Sequence, residues 1–315
     1  MKMDLKDDNK AEIWAVGGGK GGTGKTFLVS QLAASLASKG KGVILVDTDF
    51  VGANVHSFFG IRRIPKTIND FFEMNEPLEN LMIDVGIKNL GIIPGDYRSI
   101  NPGNITHTQK LKLFRHIKKL KADYILLDLG GGSSNDTIDS FLLADRMIVV
   151  TVPEVTAVEN LFQFVKKTYF RKLKSIQGIN DFEDTVREVW DNRKIHRIKN
   201  IVDLVQHLKE SSDHINSVMT KELADFSLYL VLNKVKNTME IQEGFSIRSI
   251  CLKFIGFETL YAGYVEYDSQ LWKNISLIQT TPRFNVSHSI KKDIMRIAEN
   301  IIAGDQMNIS SIRNV

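Results

Sequence analysis

The stretch GGGKGGTGKTF, Gly17 to Phe27, constrains this chain more than any other. Gly19 to Thr26 fits the phosphate-loop pattern G-x-x-x-x-G-K-[ST]. In that pattern Lys25 reaches the β- and γ-phosphates of a nucleotide and Thr26 offers its hydroxyl to Mg²⁺. The backbone N–H groups of Gly21, Gly22, Thr23, Gly24 and Phe27 point inward at the phosphates. The pattern carries this meaning only between a strand and a helix. Ile13–Val16 is a short apolar run ending at glycine, and from Lys25 the apolar Phe27, Leu28, Leu32, Leu36 and Ala37 recur at helical spacing, with Gly40 as a stop. The helix N-terminus then faces the phosphates with the positive end of its dipole. A second lysine, Lys20, is surplus to this account.

Composition narrows the class. With 43% hydrophobic and 25% charged residues in 315, the chain reads as an ordinary globular protein, and a net charge of +4 permits an anionic partner without demanding one. Its one cysteine, Cys251, excludes an intrachain disulfide framework and a multi-cysteine metal or iron–sulfur site built by one subunit. The opening MKMDLKDDNK is charged and lacks the apolar centre of a secretory signal. No apolar run approaches the roughly 20 residues that span a bilayer. The expectation is a cytoplasmic, reduced protein.

Short apolar runs alternate with longer helical patterns. Strands are expected at Ile13–Val16, Val43–Asp47, Leu90–Pro94, Tyr124–Asp128, Met147–Val152, Phe226–Asn233 and Leu260–Tyr267. Helices are expected at Lys25–Ser38, Thr108–Lys121, Val158–Leu173 and Ser289–Ile302. This alternation predicts an α/β fold: a doubly wound, mostly parallel sheet with helices on both faces, read as a single domain over 1–315. Between Arg171 and Asp225 no strand is evident. Phe182, Val186, Val189 and Trp190 suggest one helix, and Ile195 through Leu208 another, so about 171–225 reads as a helical insertion. It carries the basic stretches RKLK and RKIHRIK, and Lys110, Lys112, Arg115, Lys118, Lys119 and Lys121 suggest a basic stripe on the helix at 108–121.

Carboxylates that serve a phosphate loop belong at neighbouring strand ends. The run ADYILLDLGGG ends its strand at Asp128, which suits Mg²⁺ directly or through water, and Gly130 to Gly132 let backbone N–H groups approach a γ-phosphate. VILVDTDF supplies Asp47 and Asp49. These are expected to point to opposite sides, with Asp49 orienting the attacking water and Asp47 supporting Mg²⁺ or the loop. FSLYLVLNKVK places Asn233 and Lys234 at a strand end beside the base. A guanine-reading N-K-x-D motif would continue to an Asp, whereas Lys236 stands there, which favours ATP over GTP.

KGGTGKT, VDTDFVGAN, DYILLDLGGG, TVPEVTAVEN and VLNK, taken in order, resemble the deviant-Walker-A ATPases of the MinD/ParA superfamily, most closely the FlhG (FleN) type. The resemblance implies ATP and Mg²⁺ as ligands, a homodimer formed on ATP binding, and a protein partner that reads its state. It implies that Lys20 reaches across the dimer to the phosphates in the partner subunit, which makes Lys20, Lys25 and Asp49 the catalytic set. It implies a regulator of the number or placement of a structure such as flagella, cytoplasmic or peripheral at the inner face of the membrane. A DNA-partition role of the ParA kind is the second reading. The chain departs from the pattern in places. The tail after Gly304 has Met307, Ile309 and Ile312 but little positive charge, the opening segment shows no partner-activating motif, and Val265-Glu266 replaces an expected Ile-Pro pair.

Overall fold

Among the described residues the seven apolar runs become β1, β2 and β4 to β8 of one eight-stranded sheet, with the last of them at an edge. The structure is a computed structural model describing residues 10–50, 52–95, 106–224, 226–276 and 286–308. The chain begins β1 (Glu12–Gly17), α1 (Lys25–Ser38), β2 (Val43–Asp47), α2 (Val55–Phe58), α3 (Ile68–Glu73), β3 (Ile83–Asp84) and β4 (Leu90–Ile93). It continues α4 (His107–Ile117), β5 (Tyr124–Asp128), α5 (Asn135–Phe141), β6 (Arg146–Thr151) and α6 (Val155–Lys174). Then come α7 (Phe182–Asp191), α8 (Ile201–Ser211), α9 (Asp213–Leu223), β7 (Leu228–Val235), α10 (Thr238–Ile255), β8 (Thr259–Glu266), α11 (Ser269–Ser276) and α12 (His288–Ala303). The charged opening segment before Lys10, and Ile309 and Ile312, lie outside the described residues.

The strand order is β3-β4-β2-β5-β1-β6-β7-β8, and every pairing is parallel except β3 with β4. Both faces are covered, as continuous apolar strands require. Along β1, Ile13 and Ala15 join one core and Trp14 and Val16 the other. The Trp14 core packs beneath α1 and α12, and the Ile13 core beneath α4 to α10. Asp47 and Asp128 stand side by side in the β2–β5 register, at the C-terminal edge where the loop after β1 also emerges.

The expected insertion is helical, in three pieces rather than two. Its second helix starts at Ile201 instead of Ile195 because Asn200 caps it, accepting the Asp203 N–H at 3.0 Å, while Ile195 sits on an exposed turn. Phe182, Val186, Leu204, Leu208 and Met219 anchor the three helices to the core. The expected helix 108–121 is shorter. A capping box between Thr106 and Gln109 opens α4, and it ends at Ile117. Met307, in the tail, is buried, and its N–H donates to the Tyr261 carbonyl at 2.7 Å. Among the described residues no helix is long and apolar enough to cross a membrane.

Candidate functional site

The loop between β1 and α1 is held from three sides. Gly24, the N-cap of α1, has φ 90°, and a Cβ there would lie 2.2 Å from Asn233 Nδ2. That close approach lets Asn233 donate to the Thr23 carbonyl at 2.8 Å, while Lys234 Nζ donates to the Gly22 carbonyl at 3.0 Å. The Lys234 ammonium also stands 4.2 Å from the centre of the Trp272 ring, which packs against Phe27. Asn233 and Lys234, expected beside the base, thus brace the loop itself.

Lys25 is buried, and its Nζ donates to the Lys20 carbonyl at 3.1 Å. Burial pulls its pKa down, and Asp128 and Asp49 partly offset this. The Thr26 side chain bonds the Asp128 carboxylate. Asp128 Oδ1 is buried and accepts no hydrogen bond among the described residues, so a strong acceptor there is unsatisfied. A hydroxyl beside an open carboxylate oxygen is the donor set that Mg²⁺ takes from protein oxygens.

Asp47 and Asp49 do diverge, though strand alternation is not the cause, because residues two apart on a strand share a face. The strand stops at Asp47. Its Oδ1 accepts the Asp49 N–H and its Oδ2 the Val55 N–H, both at 3.1 Å, so Asp47 shapes the loop that carries Asp49. The Asp49 carboxylate lies against Gly130, where an added Cβ would come within 2.9 Å of Oδ1.

Lys20 goes elsewhere. Its Nζ donates to Glu154 Oε2 at 3.3 Å and Thr156 Oγ1 at 3.0 Å, at the start of α6. The pair is solvent-exposed, with side chains 37% and 64% accessible, and such pairs contribute only about 0.2–1 kcal/mol. The basic stripe expected on α4 is interrupted. Lys110 is buried and ion-paired with Asp136 at the start of α5, in a cavity that also reaches Asp49 and Gly130. Sequence reasoning placed Lys110 on the surface, although its spacing from Leu113, Phe114 and Ile117 puts it on the buried face. For Trp272 the sequence carried no signal.

The neighbouring carboxylates of Asp47 and Asp128 are costly without a cation. Burial pushes the Asp47 carboxyl up to about 7, against stabilising backbone N–H groups, and burial together with Asp47 pushes Asp128 well up. A carboxyl raised in the folded state binds more protons there than in the unfolded chain. Ligand-free stability from this pair therefore falls as pH rises from 3.8 to about 7. His56, lowered by burial, contributes with the opposite sign below 6.5. Asp128→Asn, compared with wild type, isolates the falling part. Without Mg²⁺ at pH 8 the variant melts higher, by roughly 1–2 kcal/mol, and the gap closes toward pH 4. A variant that melts lower than wild type at pH 8 contradicts this.

The family model for ParA, described as the NUBPL iron-transfer P-loop NTPases, matches residues 9–185, more than half of the chain. The chain belongs to the ParA family of P-loop NTPases. The septum site-determining protein MinD of Helicobacter pylori is 31% identical over 152 residues, covering 48% of this chain and 56% of that protein. The chain spans 56% to 64% of the length of three curated relatives it matches. Two solved structures share the fold of this ParA-family chain. One is the MinD of Pyrococcus horikoshii complexed with Mg-ADP, with TM-score 0.60 and 18% identity over 93% of this chain and 98% of that one. The other is a putative plasmid partition protein of Borrelia burgdorferi bound to AMPPNP, with TM-score 0.58 and 20% identity over 94% of this chain and 99% of that one.

Proposed function

We propose that this ParA-family chain is a Mg-ATP-dependent ATPase switch that dimerises on ATP, of the MinD/FlhG type, and regulates the number or placement of a cellular structure such as flagella. The convergence of buried Lys25, the Thr26–Asp128 pair with its open oxygen, and Asp49 on one glycine-rich loop carries the reading. Thr26, Asp128 and Asp47 would hold Mg²⁺, whose chemistry is to neutralise charge on the β- and γ-phosphate oxygens. Lys25 adds a cation to the same phosphates. The backbone N–H groups from Gly21 to Phe27 orient the nucleotide, braced by Asn233 and Lys234. Asp49 orients the attacking water. Lys20, held by the exposed Glu154 and Thr156 at the start of α6, exchanges these weak contacts for the partner subunit's phosphates.

Iron transfer has less support. Cys251 is buried, and burial pushes its thiol up to about 11, so it offers no thiolate. DNA partition would use a continuous basic face, and the inward Lys110 interrupts the one on α4. Adenine is favoured because the Lys236 ammonium, 5.4 Å from the Tyr267 ring centre, stands where a guanine-reading carboxylate would be.

Steady-state hydrolysis with Mg²⁺ tests the assignment. ATP is turned over in preference to GTP, and Asp49→Ala binds Mg-ATP yet hydrolyses it about 100-fold more slowly. Normal turnover by Asp49→Ala with loss in Asp47→Ala would reverse the two roles. Equal use of GTP would defeat the base argument.

A further inference from the structure

A groove outside the nucleotide site lies between α6 and the helical segment that follows it. It encloses about 440 Å³, and its lining includes Phe170 and Trp190, whose rings are 5.5 Å apart. Among the described residues four cations line it, Lys166, Lys167, Arg171 and Lys174, and no carboxylate does. Asp139 holds Arg171 through two bonds, at 2.8 and 3.0 Å, and Glu183 pairs with Lys174 at 3.2 Å. Lys166 and Lys167 have no acidic partner among the described residues. The Lys166 ammonium stands 5.7 Å from the Trp190 ring centre, and Lys167 Nζ donates to Ser133 Oγ at 2.9 Å. Both lysines are exposed.

We propose that this groove docks an acidic segment of a partner protein that carries an aromatic or aliphatic anchor. Two exposed cations without carboxylates set the charge complementarity, and the Phe170–Trp190 pair is the apolar floor on which one side chain can be buried. A nucleic acid fits less well. Asp139 and Glu183 flank the cations and would oppose a run of phosphates, and a concavity of about 440 Å³ takes a side chain or two, not a duplex. The docking stands apart from the ATPase reading, but one consequence rests on it. Ser133 belongs to the segment Gly130–Ser134 that follows Asp128. A partner carboxylate that takes the Lys167 ammonium withdraws it from that segment, so docking and nucleotide binding bias each other.

Fluorescence anisotropy of the full chain with a labelled peptide of repeated Glu-Glu-Leu-Glu-Glu-Phe tests the groove. The peptide binds saturably, and Lys166→Glu with Lys167→Glu weakens it by at least ~10-fold. Those two positions are exposed, so the double variant keeps its fold, and it prefers the matching Lys-Lys-Leu-Lys-Lys-Phe peptide. Absence of saturable binding, binding indifferent to the double variant, or tighter binding of a labelled DNA duplex through the same lysines overturns the proposal. Mg-ATP shifts peptide affinity by about fivefold in wild type and leaves it unchanged in Lys25→Ala. Equal affinity with and without Mg-ATP overturns the link to Ser133. If direct titration shows no nucleotide bound by wild type, the nucleotide-site reading fails and the groove is judged on the peptide alone.

Discussion

Lys25→Ala weakens ATP binding by about 100-fold or more, the largest single effect expected in this protein. Lys25 is a buried cation whose Nζ, among the described residues, is bonded to a loop carbonyl, that of Lys20. Burial lowers its pKa, and Asp128 and Asp49 partly offset this. A charge-assisted contact is worth about 1.5–3 kcal/mol, and phosphates in a partly dry loop make more than one. Removing the amine also leaves two carboxylates facing the phosphates with less compensation. Titration with a fluorescent ATP analogue measures the change. Near-wild-type affinity would sink the phosphate-loop assignment. A circular-dichroism melt accompanies it, because removing a desolvated lysine leaves the fold itself intact.

Lys20→Ala has a different signature. The variant still binds ATP as a monomer, because Lys25, Thr26 and the loop N–H groups remain. It fails to form the ATP dimer, or forms one that turns over poorly. In the structure the Lys20 amine is held by Glu154 and Thr156, a weak exposed arrangement that a phosphate in a partner subunit readily outcompetes. Losing the contact costs roughly 1.5–3 kcal/mol per site, and a two-fold dimer loses two. Wild-type ATP binding combined with lost dimerisation separates this role from the one assigned to Lys25. A variant that binds, dimerises and hydrolyses like wild type leaves Lys20 a surface lysine.

The centre of the sheet was legible in the sequence because β1, β2, β5 and β6 are covered on both faces and therefore read as unbroken apolar runs. The loop and the strand-end Asp47 and Asp128 followed from the same runs. What the sequence hid had local causes. β3 is two residues long, too short for any period. α10 was not expected because its apolar positions are interrupted at Gly244, where a Cβ would meet the Tyr261 ring at 2.3 Å. The missing side chain is a packing requirement, not a helix stop. By contrast, α9 was readable: Ile215, Val218, Met219 and Leu223 recur at helical spacing on the face that packs on the core, and only Met219 among them is fully buried. Lys110 was readable and was misread. Its helical phase pointed inward, yet counting charges along α4 placed it with the exposed Arg115 and Lys118. Asn233 was expected to end its strand, but β7 runs on to Val235, and the bond of Asn233 to the Thr23 carbonyl joins residues 210 apart, which no local pattern reveals.

The central claim is that ATP, not ADP, pairs two copies of this chain. Multi-angle light scattering of the wild-type protein, first with Mg-ADP and then with Mg-ATP, tests it most directly. The account predicts a 35.6 kDa monomer with ADP and a particle of twice that mass with ATP, and a 35.6 kDa monomer in both would contradict it.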